Sequence, residues 1–160
     1  MLRATKVLHP HDIDASRVVD TVVLDANERH RRRVAMVADG GVKFLLDLPQ
    51  AVMLKHGDGL LLDDGTIVRV AGRPEALVEI AAASEAERLR LAWHVGNRHT
   101  DVQVVGDRLR IRRDHVLEAM LRGLGAQLTL IEAPFEPEAG AYEHGHAHPH
   151  DHDHGHDHGT

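Results

Sequence analysis

The 160-residue chain carries 42% hydrophobic and only 2% aromatic residues, so its core must be built mainly from Val, Leu, Ile, Ala and Met. It has no cysteine, which excludes disulfides, thiolate zinc sites and cysteine nucleophiles and leaves imidazole and oxygen as metal donors. The formal charge of -6 is uneven: residues 132–160 hold seven acidic side chains and no Lys or Arg, whereas the first 131 residues hold 18 acidic and 19 basic ones. A nearly neutral body lacks the concentrated basic face of a nucleic-acid-binding protein. No run approaches the ~20 apolar residues of a membrane span, and Met1–Asp14 has no apolar signal-peptide segment. The expectation is a cytoplasmic protein that contacts neither membrane nor nucleic acid.

In chain order, Val18–Leu24, Val34–Val37, Val42–Leu46, Leu60–Leu62 and Ile67–Val70 read as short strands separated by Asp/Gly turns. Between the first two lies the only basic cluster, Arg29-His30-Arg31-Arg32-Arg33, read as a solvated hairpin or strand edge, with a docking patch for an acidic partner as the alternative. Gly72-Arg73-Pro74 then breaks the pattern. Leu77–Ala81 follows as a strand. Ser84 with Glu87 predicts a capping box, and Leu89, Ala92 and Trp93 predict the apolar face of a helix ending at Gly96. Val102–Val105 and Leu109–Ile111 flank a Gly106-Asp107 turn. Asp114 predicts the cap of a second helix bearing Val116, Leu117, Met120 and Leu121, and Gln127–Ile131 is a last strand. The fold expected is α+β: a small all-β domain over residues 1–72, a ferredoxin-like βαββαβ domain over 73–142, and a disordered His-rich tail over 143–160.

The tail carries the clearest chemistry. His144, His146, His148, His150, His152, His154, His156 and His158 occupy every second position, interspersed with Asp and Gly. Positions i and i+2 of an extended chain project to one side, so neighbouring imidazoles can converge on one ion. Such a segment holds several ions loosely, and Cu(II), Ni(II), Zn(II) and Co(II) all suit imidazole. Interruption by Asp and Gly separates it from a purification tag. In the body, His9, His11, His30 and His56 read as surface or structural residues. His99 follows a helix end on a short exposed connection, a usual place for a binding residue. One imidazole holds a divalent ion poorly; two copies across a two-fold axis can share one.

Three blocks carry a resemblance: Trp93-His94-Val95-Gly96-Asn97-Arg98-His99, Asp114-His115-Val116-Leu117, and Pro134-Phe135-Glu136-Pro137-Glu138-Ala139-Gly140-Ala141-Tyr142, followed by the His-rich terminus. Together they resemble the UreE family of urease accessory proteins, which act as nickel chaperones. The resemblance implies a homodimer whose interface nickel ligand is His99 from each subunit, a secondary metal-binding role for His115, and weaker sites on the tail histidines. Position 113 is Arg, so the His-x-His pair of some members is absent. The partners implied are the urease maturation GTPase, other accessory proteins and the apo-urease complex, with the β domain as docking module.

No His-Glu-x-x-His, phosphate-loop or Gly-x-Ser-x-Gly pattern is present, so an enzyme is not expected. The alternative function is a His-rich nickel or zinc buffer without a dedicated client.

Overall fold

The computed structural model describes residues 1–139. The expected tail, with its eight histidines, lies outside the described residues. Six strands build the N-terminal part: β1 (Leu2–Leu8), β2 (Val18–Leu24), β3 (His30–Val37), β4 (Lys43–Met53), β5 (Gly59–Leu62) and β6 (Ile67–Gly72). They form one mixed sheet in the order β2-β6-β5-β1-β4-β3, with β1–β4 and β2–β6 parallel. Alternation selects the core. Phe44, Leu46 and Leu48 of β4 point inward and pack with Ala4, Leu60 and Val70. Each buried aliphatic side chain of this kind contributes about 1.5–3 kcal/mol.

Between β2 and β3 the chain makes a short helix, α1 (Ala26–Arg29). So short a helix depends on its cap. Asp25 accepts the Glu28 N–H at 2.8 Å, and Glu28 accepts the Asp25 N–H at 3.1 Å.

The second unit runs β7 (Pro74–Ala81), α2 (Glu85–Asn97), β8 (Gln103–Val105), β9 (Arg108–Arg112), α3 (His115–Gly123), β10 (Gln127–Pro134). Its sheet is antiparallel throughout in the order β10-β7-β9-β8. Leu91 and Val95 of α2, with Leu117 and Leu121 of α3, cover Val78, Ile80, Leu109 and Ile111 of the sheet. Ser84 caps α2 by accepting the Glu87 N–H at 3.2 Å, but the returning Glu87 carboxylate takes the Ala83 N–H instead of Ser84. Asp114 caps α3, accepting from Val116 and Leu117. The architecture is mostly β with three α-helices among the described residues, in keeping with the α+β class.

Residues 2–8 form a further strand, with only Ala4 fully buried, so the segment carries little apolar signal. Of the basic run, Arg31–Arg33 lie exposed on β3 at the strand edge anticipated for them, whereas Arg29, expected to be solvated, is buried at the end of α1. Two further expectations need correction. On α2 the anticipated core face is the outer one: Leu89 and Trp93 are 66% and 64% exposed, while Leu91 and Val95 face the sheet. Both pairs have i, i+4 spacing, so periodicity alone did not separate them. Finally, Gly96 remains helical, and the left-handed residue beyond α2 is His99, with φ 54°.

The two units meet around one buried cation. Arg29 is fully buried, and its guanidinium donates to the carbonyls of Asp25, Leu54 and Phe135. Glu136 lies 3.7 Å away and also accepts the His56 N–H at 2.8 Å. Burial pulls the guanidinium below its ordinary pKa, while Glu136 foremost among the neighbouring carboxylates opposes that shift. Phe135, also fully buried, lies under Arg112 at 4.8 Å, and Arg112 itself bridges Glu75, Asp101 and Asn27. Gly72 fits the seam because a Cβ there would sit 2.6 Å from that of Pro134. An Arg29→Met variant leaves the buried Leu54 and Phe135 carbonyls without their donor. It is expected to lose about 2–4 kcal/mol of stability, seen as a melting temperature roughly 5–15 °C lower; an unchanged melting curve would show that Arg29 does not hold the seam.

Candidate metal centre

His99 projects from the turn that leaves α2. Arg98 caps the helix, its N–H reaching the Val95 carbonyl at 3.1 Å, and the His99 N–H reaches Gly96 at 3.2 Å. These bonds hold His99 in the left-handed region, which costs a non-glycine residue on the order of 1 kcal/mol. A strained, exposed, titratable side chain next to a rigid helix is a usual sign of a binding position. The same end of α2 is anchored from outside, since the Arg98 guanidinium contacts the Met120 sulfur at 3.7 Å.

His115 is the first residue of α3 and is exposed. Beneath it lies Glu118, only 2% exposed, which accepts the Asp114 N–H at 2.8 Å and is bridged by Arg113 at 3.2 Å. Burial raises the Glu118 pKa, but the Arg113 and Asp114 hydrogen bonds outweigh it and leave the carboxyl below its ordinary value. Arg113, standing where a second histidine would make a His-x-His pair, is thus occupied as the partner of a buried carboxylate.

The remaining body histidines have local tasks. His9 and His11 stack with ring centres 5.7 Å apart. His56 accepts the Gly72 N–H on Nδ1 at 2.9 Å, at the seam between the units. His94 meets Trp93 edge-on at 5.0 Å and lines a cavity of about 230 Å³ with Glu87 and Leu124. His30 lines another cavity, about 200 Å³, with Asp101, Arg112 and Glu138.

Among the described residues, no three His, Asp or Glu side chains cluster in a way that could hold a metal ion. His99 and His115 are therefore not joined into one closed site within a protomer. His99 is thus not part of a three-ligand cluster within the described residues of one protomer.

The Pro134–Glu138 block has a structural role that sequence reasoning missed. Phe135 and Glu136 engage Arg29, and Glu138 then covers the outer side of β8. Its N–H donates to the Val102 carbonyl at 2.7 Å, and its carboxylate accepts from Val104 at 3.2 Å. The Asp25-x-x-Glu28 spacing marks the start of α1 and so places Arg29 on a helix, but it carries no sign of the contact with Phe135 and Glu136.

Comparison with known proteins covers both units. Residues 4–73 match the family described as UreE urease accessory protein, N-terminal domain, and residues 75–159 match its C-terminal domain. The urease accessory protein UreE of Chelativorans sp. (strain BNC1) is 51% identical over 143 residues, covering 89% of this chain and 88% of that protein. That of Rhodopseudomonas palustris (strain BisB18) is 53% identical over 142 residues, covering 89% and 67%. That of Brucella anthropi is 45% identical over 150 residues, covering 91% and 85%. These relatives are named as accessory proteins and not as enzymes. With both domain families matched in order across nearly the whole chain, this protein belongs to the UreE family of urease accessory proteins.

Proposed function

We propose that this accessory protein captures Ni(II) on tail imidazoles, gathers one ion between two copies of His99 in a homodimer, and hands it on for assembly of the urease metallocentre. The observation that carries the reading is His99 itself: an exposed imidazole fixed beyond the end of α2 and belonging to no three-ligand cluster among the described residues. A two-fold axis beside it supplies the missing donor at no cost in sequence. The outer face of α2 favours such an axis, because Leu89 and Trp93 present a large apolar stripe one to three turns from His99. The strand order β10-β7-β9-β8 with both helices on one face supports the ferredoxin-like reading of this unit.

Delivery requires a site that grips and lets go. Imidazole donors without thiolate give exchangeable coordination, and a shared site opens when a partner offers competing ligands. The partners in this reading are the urease maturation GTPase, its associated accessory proteins and apo-urease, met in the cytoplasm. No helix among the described residues is long and apolar enough to cross a membrane. Zn(II), Cu(II) and Co(II) compete for the same imidazoles. His115 is a secondary ligand, and the tail histidines from His144 to His158 form the loading sites. A nickel-dependent complex with the urease GTPase favours delivery over a buffer; its absence favours the buffer.

Four outcomes are expected, read by calorimetric titration and, where stability is concerned, by thermal melting. His99→Ala removes the tightest nickel site, and an intact tight site would overturn the assignment. His99→Gly removes it too but holds or raises stability, by at most about 1 kcal/mol, because glycine relieves the left-handed strain. Ending the chain after Tyr142 lowers the number of ions bound while retaining one per dimer. Capture by the full chain and by each variant weakens as pH falls through the imidazole reference value of about 6.5, because only the deprotonated ring ligates; affinity independent of pH from 5 to 8 would exclude histidine as the donor.

A further inference from the structure

The arginine run on β3 remains unexplained by metal binding. β3 is the last strand of its sheet, so its outer edge has no strand partner. Arg31, Arg32 and Arg33 are exposed there. Arg33 meets Asp47 only at 4.0 Å, and Arg3 holds the same carboxylate at 3.3 Å. Neither Arg31 nor Arg32 has an acidic side chain within ion-pair distance among the described residues. Beside them runs a cleft of about 270 Å³ in which Arg31, Val34 and Met36 of β3 face Val22 and Leu24 of β2; Glu28 and Asp39 also line it, Glu28 already engaged by Arg73 and the Asp25 N–H. Arginines on an edge strand deter sheet-to-sheet pairing, but three adjacent cations also form a strong local field for an anionic chain.

The chain itself supplies one. Ala139 lines the same cavity as His30, the first residue of β3, together with Asn27 and Met53. Residues 140–160 therefore begin beside the base of the arginine run. They carry four acidic side chains, Glu143, Asp151, Asp153 and Asp157, and no Lys or Arg. Twenty-one residues reach as far as ~70 Å when extended, so every one of those carboxylates can reach β3.

We propose that the metal-free segment 140–160 docks through its carboxylates on the Arg31–Arg33 edge of β3 in the same chain, and that metal loading releases it. The release half rests on the metal-capture reading above: two divalent ions on neutral imidazoles cancel the four negative charges and remove the attraction. The histidine segment is thereby parked on the β domain while empty and freed when it has cargo to pass on.

The chain has no cysteine, so Gly155→Cys gives a single attachment point for a nitroxide in the full-length protein. Without metal and at low salt, the amides of residues 30–34 are expected to lose intensity by paramagnetic relaxation. The loss disappears in Arg31→Glu/Arg32→Glu, and in the unsubstituted β3 at about 0.5 M NaCl, where the Debye length falls to roughly 4 Å. It also disappears with zinc, chosen because it is diamagnetic. No loss at β3 in the metal-free protein overturns the proposal, as does a loss that survives both charge reversal and salt. Mixing isotope-labelled chains with spin-labelled unlabelled ones tests the same-chain clause: a loss at β3 in that sample assigns docking to a neighbouring subunit and overturns it. If calorimetry shows zinc bound while the loss persists, the release clause fails. If no zinc binds at all, the metal-capture reading fails and the docking stands alone.

Discussion

A guanidinium sealed from water is costly unless its nitrogens find acceptors. Each of the three guanidinium nitrogens of Arg29 finds one only when the carbonyls of Asp25, Leu54 and Phe135 arrive together. Satisfying it locks the end of the chain's described part onto the β domain and packs Phe135 under Arg112. Because Phe135 follows β10 directly, the same lock fixes the second sheet against the first. The unit whose α2 leads to His99, and Ala139 beside His30, where residues 140–160 begin, are both positioned by this contact.

The chemistry divides accordingly. A rigid helix end presents one imidazole in a strained backbone conformation, which suits a single ordered site completed by symmetry. The histidine-rich segment offers number: eight imidazoles at alternate positions. In the proposed function, incomplete coordination by each protomer is what would let an ion move from one place to the next.

Much of this was legible in the sequence for physical reasons. Period-two apolar runs bounded by Asp/Gly turns marked most strands, and the Ser84 and Asp114 caps located both long helices. The resemblance carried by Gly96–His99 and Pro134–Tyr142 agrees with the domain families matched. What escaped was tertiary. The outward turn of Leu89 and Trp93 depends on which stripe meets the sheet, and a stripe reserved for another surface has the same periodicity as a core face. The end of α2 was misplaced because glycine is the usual left-handed residue, whereas here a histidine takes that conformation. Arg29 gave no signal of burial, since a lone cation beside a basic run reads as solvated until its acceptors are known. Arg113 likewise reads as a missing ligand until Glu118 is seen beneath it.

The central claim is that one ion sits between two copies of His99. Anomalous diffraction at the nickel absorption edge, on crystals of the full chain grown with nickel near neutral pH, locates the ion without reference to affinity. The account predicts a peak on a two-fold axis within bonding distance of the His99 imidazole of each protomer. Nickel bound to the body away from His99, or a His99 imidazole left without nickel in an otherwise loaded dimer, would contradict it.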